Sequence, residues 1–524
     1  MKPIKLLSGF LTVGFWTLAS RILGFLREIL ITAYIGPGPL MDAFVAAFRL
    51  PNMFRRFFAE GAFNAAFVPM FAKRLESGDD PQGFAQEAFN LLAITVLLLV
   101  GLGMVFMPAL VWATAGGFIG DARFDLAVGY GQIVFPYILF MSLAALFSGV
   151  LNATGRFAAA AAAPVLLNIF ACAAMVAGAV LGGEVISWLV WTIPVAGVAQ
   201  LALVWIAAGR AGIRLRPGLP RWTPQMKNLV RVALPAALAM GVTQINLVVG
   251  QQVASDIENA VSWLFVADRL YQLPLGVVGI AIGIVLLPDL SRRLRAGDDA
   301  GARDAFSRAG EFSLLLTLPS TAAFLAVPVV LVSVLYERGA TGAEDVAAIA
   351  LAVAIYGAGL PAFVLQKVLQ PLFFAREDTR SPFRYALVAM VINAVLAFGL
   401  KPYVGWIAPA IAATVAGWAM VACLWLGARR MGEVARFDQR FYDRSLRILI
   451  ASAIMGAMLF GVVQQFGWLF YLPSWRYLAL LGLIVLGAVV YFGVGQIIGA
   501  VRLGDLRRSV RRGAPPTRQD NRGD

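Results

Sequence analysis

A chain of 524 residues that is 60% hydrophobic, only 14% charged and has a mean hydropathy of +0.80 lies outside the range of soluble domains and is expected to be a polytopic membrane protein. Its net charge of +14 would suggest nucleic acid in a soluble protein, but the basic residues gather in the connections between apolar runs, which argues for topology and against a nucleic-acid partner. There is no histidine, which excludes an imidazole proton relay or histidine metal site, and Cys172 and Cys423 lie in separate apolar runs with no disulfide framework, so neither metal nor cofactor is expected.

Apolar runs long enough to cross about 30 Å of hydrocarbon as helices recur along the whole length. Fourteen are predicted: 10–35, 41–72, 86–114, 127–152, 159–182, 185–208, 228–250, 260–290, 309–335, 346–374, 382–402, 405–428, 443–465 and 475–500. The first holds Arg21, Gly24, Arg27 and Glu28. On a helix, Arg21 and Arg27 stand about 9 Å apart along the axis and about 120° round it, while Arg21, Gly24 and Glu28 share a face. Gly24 would let a neighbour or a substrate approach the backbone. The second run contains Pro51, Gly61 and Pro69 and is too long for one upright helix, so a bend or break is predicted. Asp42, Arg49 and Arg56 recur there every seven residues, with Glu60 four further on and Arg55 alongside, a polar stripe if helical phase survives the proline.

Later runs are less charged. Asn168 and Asn393 sit at matched places and read as interhelical hydrogen-bonding groups, Asp268 and Arg269 are adjacent in the eighth run, and Lys367 lies in the tenth. Trp468, Phe470, Tyr471, Trp475 and Tyr477 form an aromatic cluster suited to a membrane interface. The tail, 501–524, is basic and is expected to be disordered and drawn to anionic lipid.

With the N-terminus cytoplasmic, the connections on that side and both termini collect 32 of the 43 Lys and Arg, against four opposite: Arg123, Arg338, Lys401 and Arg476. The positive-inside rule then places both termini in the cytoplasm. No connection carries a GxxxxGK[ST] pattern, so any energy source would be an ion gradient, the membrane potential or substrate flow.

The chain also matches itself. Pro136, Thr154 and Asn168 recur 225 positions later as Pro361, Thr379 and Asn393, AFRL (47–50) aligns with ADRL (267–270) at offset 220, and VPMFAKRL (68–75) aligns with LPDLSRRL (287–294) at offset 219. Two six-helix units are read, 1–220 and 221–435, with two further helices in 436–500. An even number of spans per unit implies parallel repeats about an axis along the membrane normal, with a central site where they meet.

Seven basic residues remain inside the runs: Arg21, Arg27, Arg49, Arg55, Arg56, Arg269 and Lys367. Each central charge costs about 2.5–3.5 kcal/mol on insertion scales, so such groups persist mostly where they face a wet cavity or a partner. A plainer reading stands beside each: Arg27 and Lys367 as snorkelling side chains, Arg55 and Arg56 near a bend open to the cytoplasm, Asp268 and Arg269 as a self-satisfied pair. The excess of arginine over acid points to an anionic substrate, and guanidinium suits phosphate because it stays charged and offers forked donors.

At these residues the chain resembles a known family. SRILGFLRE (20–28), DAFVAAFRLPNMFRRFFAEGAFNAAFVP (42–69), ADRLYQLPLGVVGIAIGIVLLPDLS (267–291) and AREDTRSP (375–382) are similar to the MurJ (MviN) lipid II flippases of the multidrug/oligosaccharidyl-lipid/polysaccharide exporter superfamily. The likeness covers nearly the whole chain, weakening after residue 435, and is most specific from Arg49 to Phe63. It implies two six-helix lobes round a central cavity and two terminal helices that form a groove for the lipid tail. It also implies alternating access that carries an undecaprenyl-pyrophosphate-linked disaccharide-pentapeptide to the outer leaflet of the bacterial inner membrane for peptidoglycan synthesis. Family residues important for activity match as Arg21, Arg27, Asp42, Arg55 and Arg269, with Glu60 in the same motif.

The expected site therefore has Arg21, Arg27, Arg55 and Arg269 on the substrate and Asp42, Glu28, Glu60 and Asp268 as gating or ion-pairing groups, with Gly24, Arg49, Arg56 and Lys367 as further candidates. A sodium site of some members needs carboxylates in the seventh run, where this chain offers Gln244 and Asn246, so none is assigned. The expected partners are lipid II, the membrane and cell-wall synthases, and the expected state is a monomer. Two other readings stay open: a flippase for another polyprenyl-linked glycan, and a non-transporting membrane scaffold.

Overall fold

The computed structural model describes residues 3–55 and 62–501, which are helical with short connections and contain no strand. In chain order the helices are α1 (Pro3–Tyr34), α2 (Pro39–Arg55), α3 (Ala62–Ser77), α4 (Pro81–Val105), α5 (Met107–Ala115), α6 (Ala122–Val134), α7 (Tyr137–Ala153), α8 (Ala158–Leu181), α9 (Val185–Arg210), α10 (Pro224–Ala254), α11 (Ala260–Arg295), α12 (Asp299–Ala326), α13 (Pro328–Tyr336), α14 (Ala343–Phe374), α15 (Arg380–Val404), α16 (Ala408–Ala428), α17 (Gln439–Phe466) and α18 (Arg476–Ile497). They fall on all fourteen predicted runs. Among the described residues, nine helical stretches are long and apolar enough to cross a membrane.

Side chains in the connections start several helices. Asp80, Thr223, Asp298 and Asp438 accept hydrogen bonds from backbone amides in the first turns of α4, α10, α12 and α17, satisfying donors that a helix cannot satisfy itself.

Three predicted single runs each prove to be two helices in succession: 86–114 is α4 then α5, 127–152 is α6 then α7, and 309–335 is α12 then α13. The second helix of each pair begins at or beside a proline, Pro108, Pro136 or Pro328, which has no amide hydrogen to give the preceding turn. Pro51, in contrast, does not end α2, which continues through it to Arg55, and the Asn52 side-chain amide nitrogen Nδ2 donates to the Phe48 carbonyl at 2.8 Å. Arg56, Glu60 and the tail from Arg502 onward lie outside the described residues.

The helices group into two compact units. One takes in the chain up to Asp268 with Leu335–Ala352 and Ala386–Ala416; in it α1 lies along α8, α2 along α6, and α7 along α9. Its aromatic core includes Phe67 stacked on Phe63, Phe71 and Phe84. The other takes in Arg269–Val334, Val353–Tyr385 and the chain from Gly417. There α12 packs along α17 and α17 along α18, with Phe437 stacked between Phe306 and Phe441 and the Tyr491 hydroxyl donating to the Leu315 carbonyl at 2.7 Å.

Candidate functional site

Asp42 stands in the first turn of α2 and is fully buried. Its carboxylate has four donors. Oδ1 accepts from the Ser262 amide at 2.8 Å and the Ser262 hydroxyl at 2.5 Å, while Oδ2 accepts from the Asn259 amide at 2.9 Å and Arg123 Nη1 at 3.2 Å. Asn259 and Ser262 open α11, so Asp42 caps in trans a 36-residue helix whose first amides would otherwise lack acceptors. A buried carboxylate is tolerable because its lone pairs are engaged and its charge is matched by a buried guanidinium.

Arg123 is itself held from several sides. Its Nε lies 2.6 Å from Asp121, Nη1 donates to the Ile257 carbonyl at 3.4 Å, and the guanidinium lies 4.6 Å from the centre of the Phe118 ring. Asp121, in the α5–α6 connection, caps α6, and its carboxyl is held below the usual range chiefly by the hydrogen bond from the Arg123 amide and also by the Arg123 side chain.

Further bonds at this end of the first unit join the same parts of the chain. Gly116 and Gly117 amides donate to Gln252 Oε1 and Ser255 Oγ at 2.8 and 3.0 Å. Lys401 pairs with Asp256. Trp263 donates to Asp345 at 2.8 Å and meets Trp406 edge to face at 5.0 Å. Between α1 and the α13–α14 connection, the Ala340 amide donates to the Ala33 carbonyl at 3.0 Å and the Thr341 hydroxyl to the Thr32 carbonyl at 2.8 Å. The two segments meet closely because Gly36 and Gly339, both at positive φ, have no Cβ: one on Gly339 would fall 2.0 Å from the Ala33 carbonyl oxygen. Residues before 220 and after 220 are thus bonded across a continuous polar seam.

A second cluster lies in the second half of α1. Arg27 donates through Nη1 to Asn168 Oδ1 at 3.0 Å and through Nη2 to Glu28 at 2.6 Å. Asn168, on α8, donates back to the Ser20 carbonyl at 3.1 Å and lies against Gly24. The close approach expected at Gly24 is therefore filled by Asn168 here. Arg27 and Glu28 are largely enclosed, whereas Arg21, nearly two turns earlier, is exposed. In the other repeat, Asn393 on α15 donates to Asn246 on α10 at 3.2 Å. Both asparagines make the interhelical bonds expected of them, one to a cation and one to a neutral amide.

The remaining candidates are spread along the chain. Arg49 donates to the Leu247 carbonyl at 3.2 Å, Arg55 ends α2 half-buried, Asp268 and Arg269 are half-buried on α11, and Lys367 is exposed on α14. Arg269 begins the second unit.

Two features went unforeseen. In the sequence Arg123 stands out only as one of four basic residues on its side of the membrane, and that scarcity is the available signal. In the second unit, buried Glu311 of α12 meets Arg308, Arg444 at 3.1 Å and Arg440 at 3.7 Å, Arg308 also pairs with Asp438, and Arg444 donates to the Ala500 carbonyl at 2.9 Å. These bonds tie α17 and the end of α18 to α12.

The family model described as "Lipid II flippase MurJ" matches residues 31–478. A "Probable lipid II flippase MurJ" of Rhizobium tropici is 44% identical over 529 residues, covering 99% of each chain. A "Lipid II flippase MurJ" of Burkholderia cenocepacia is 32% identical over 508 residues, covering 95% of this chain and 98% of that one. Among solved structures, "Lipid II flippase MurJ, inward closed conformation" matches with a TM-score of 0.78 at 24% identity, over 95% of this chain and 99% of that one. An inward-facing multidrug resistance MATE family transporter of the MOP superfamily matches with a TM-score of 0.68 at 14% identity, over 79% of this chain and 95% of that one. The all-helical fold is that of these transporters, and the chain belongs to the MurJ lipid II flippase family, a family of multi-pass bacterial membrane transporters rather than enzymes.

Proposed function

We propose that this protein moves lipid II, an undecaprenyl-pyrophosphate-linked peptidoglycan precursor, from the cytoplasmic to the outer leaflet by alternating access. The observation that carries the reading is the seam at Asp42. A buried carboxylate that caps a helix of the other repeat makes a closure that is stable only while both repeats meet there, and which breaks as a set when they part. With both termini cytoplasmic, the seam lies on the periplasmic side, so the proposed state is closed outward.

In this mechanism Arg21, Arg27, Arg55 and Arg269 bind the pyrophosphate from the cytoplasmic side. Arg27 is the pivotal group: its guanidinium is parked on Asn168 and Glu28, and an arriving diphosphate offers it stronger charge-assisted bonds than the neutral amide does. Binding energy gained there drives the two repeats, 1–220 and 221–435, to rock about their common axis. Asp42 then releases Ser262, Asn259 and Arg123, and the headgroup leaves outward. The helices within 436–500 hold the polyprenyl tail.

The test replaces Arg21, Arg27 or Arg269 singly by Ala in cells that depend on this copy. The expected result is arrested wall synthesis with lipid II accumulating in the inner leaflet. Normal wall synthesis in all three variants would remove the arginine mechanism, and accumulation of a different polyprenyl-linked glycan would change the substrate.

A further inference from the structure

The connection between the repeats is bound to α4 in a way that transport does not call for. From Ile213 to Thr223 the chain has no helix or turn of its own. Instead, three side chains on one face of α4, at i, i+4 and i+8, hold its backbone. Gln82 donates to the Arg214 carbonyl at 3.3 Å, Gln86 donates to the Arg216 carbonyl at 2.5 Å and accepts from the Arg216 amide at 2.9 Å, and Asn90 donates to the Leu219 carbonyl at 3.4 Å. The strap then turns back, for the Thr223 hydroxyl donates to Glu87 at 2.8 Å. Leu215 is buried beneath it, and Gly218 lies where a Cβ would be 3.1 Å from the Asn90 amide nitrogen.

That ladder gives depth. Gln82 and Asn90 are eight residues apart on a helix, about 12 Å along its axis. From Leu91 to Val105, α4 has no charged or amide side chain, so Asn90 marks where it enters the hydrocarbon. The strap therefore descends from Arg214 at the aqueous end to Leu219 at the edge of the apolar layer, and climbs again to Thr223. At the lowest point Leu219 is 83% exposed, and Trp222 close by is 64% exposed. Around them Arg214, Arg216 and Arg221 are exposed, and the whole stretch 210–231 has six basic residues and no acidic one.

We propose that the strap Arg214–Trp222 is a membrane-surface anchor, with Leu219 and Trp222 seated in the interfacial layer of the leaflet and Arg214, Arg216 and Arg221 binding the phosphates of anionic phospholipids. The pattern of apolar tip and basic shoulders matches the two components of such a surface, apolar below and negative above. A protein partner fits less well, because the Arg214, Arg216 and Leu219 carbonyls and the Arg216 amide are already taken by α4, which occupies one edge of the strap. An anchor here fixes the joint between the repeats at one depth while the helices on either side move. It stands independently of what is transported.

The experiment uses the full-length protein with Cys172→Ala and Cys423→Ala, carrying a fluorophore at Leu219→Cys or, as an aqueous control, at exposed Glu76→Cys. It is reconstituted in phosphatidylcholine vesicles with and without phosphatidylglycerol. The expected result is quenching at position 219 by lipids spin-labelled near the headgroup, stronger with phosphatidylglycerol, and quenching at position 76 by aqueous iodide alone. Iodide quenching at 219 equal to that at 76 would overturn the anchor, and lipid quenching indifferent to phosphatidylglycerol would overturn its anionic preference. A second measurement needs no cysteine variant: native mass spectrometry of the wild-type protein against Arg214→Gln, Arg216→Gln and Arg221→Gln. Retention of phosphatidylglycerol over phosphatidylcholine should fall about fivefold for each charge removed, and an unchanged ratio refutes the assignment.

Discussion

The carboxylate of Asp42 and the amide of Ser262 are bonded at 2.8 Å and lie 220 positions apart. That separation equals the offset at which AFRL aligns with ADRL, so on the proposed two-repeat reading Asp42 and Ser262 are counterparts. In an assembly of two parallel repeats, only positions next to the symmetry axis meet their own counterparts. Duplication alone would place two identical groups there, and two buried carboxylates in contact would repel. Acid in one copy and a serine at a helix start in the other resolve the clash and make the contact attractive.

Asp42→Asn keeps the shape but removes the charge, leaves Arg123 with Asp121 as its remaining carboxylate partner, and turns an amide donor towards donors of α11. The closure should weaken by about 2–3 kcal/mol, shifting the closed-to-open ratio by roughly 30- to 150-fold. A short bifunctional thiol reagent on Ala33→Cys/Ala340→Cys reports it: cross-linking should be efficient alone and poor with Asp42→Asn added.

Gly339→Ala should open the same seam by sterics. Its backbone is at φ +58 and the new Cβ would fall 2.0 Å from a backbone oxygen, which has no soft way to yield. The cost of the left-handed conformation alone is about 1–2 kcal/mol, before the clash. Gly38→Ala, in the nearby α1–α2 turn with open space around it, should be close to neutral in the same cross-linking assay and in cell growth.

Acid should loosen the seam through Asp121. Its carboxyl is held below the ordinary value of 3.8 by the Arg123 amide and guanidinium, so the ion pair that steadies Arg123 against Asp42 is complete above that value and is lost as pH falls through the lowered one. Cross-linking at Ala33 and Ala340, made with a reagent active in acid, should decline as the pH falls below 3.8. Asp121→Asn should show lower closure at neutral pH and a flatter decline.

Much of this was legible in the sequence, and the reason is the bilayer. A lipid-facing helix must be apolar along its length and satisfy its own backbone, so spans announce themselves, and the rare polar groups within them stand out. Asp42, Arg27 and the paired asparagines were found that way. What could not be read were partners contributed by connections. Arg123 lies outside the predicted apolar runs, where the scarcity of basic residues marks it but does not name its partners, and its importance comes from folding back over Asp42 and Phe118. The split of long runs at Pro108, Pro136 and Pro328 was equally hidden, because Pro51 shows that a proline does not by itself end a helix.

The matched asparagines separate charge from packing. Asn168→Ala and Asn393→Ala each remove one interhelical hydrogen-bonding group and should each cost about 1 kcal/mol in thermal unfolding. Of the two, Asn168 also holds a guanidinium, Arg27, whose place the proposed transport mechanism requires. Growth of cells dependent on this copy should therefore suffer more from Asn168→Ala. Equal effects would make both asparagines packing groups and detach Asn168 from the substrate.

The strongest test of how the last two helices move is Glu311. It is buried on α12 and surrounded by Arg308, Arg440 and Arg444, the latter two on α17. Glu311→Gln leaves these cations facing one another with a neutral amide between them, so α17 should loosen from α12 at a cost of about 3 kcal/mol, less than for a fully enclosed pair because Arg440 is half-exposed. Adding Arg444→Gln removes one of the stranded charges and should recover part of the loss, which a simple sum of two defects would not do. Thermal unfolding in detergent measures both. If the tail groove rides on α12, the single variant should also slow lipid II movement in vesicles while the Ala33–Ala340 seam stays closed as in the wild type. A seam that opened instead would place Glu311 in the gating machinery rather than in the carriage of the terminal helices.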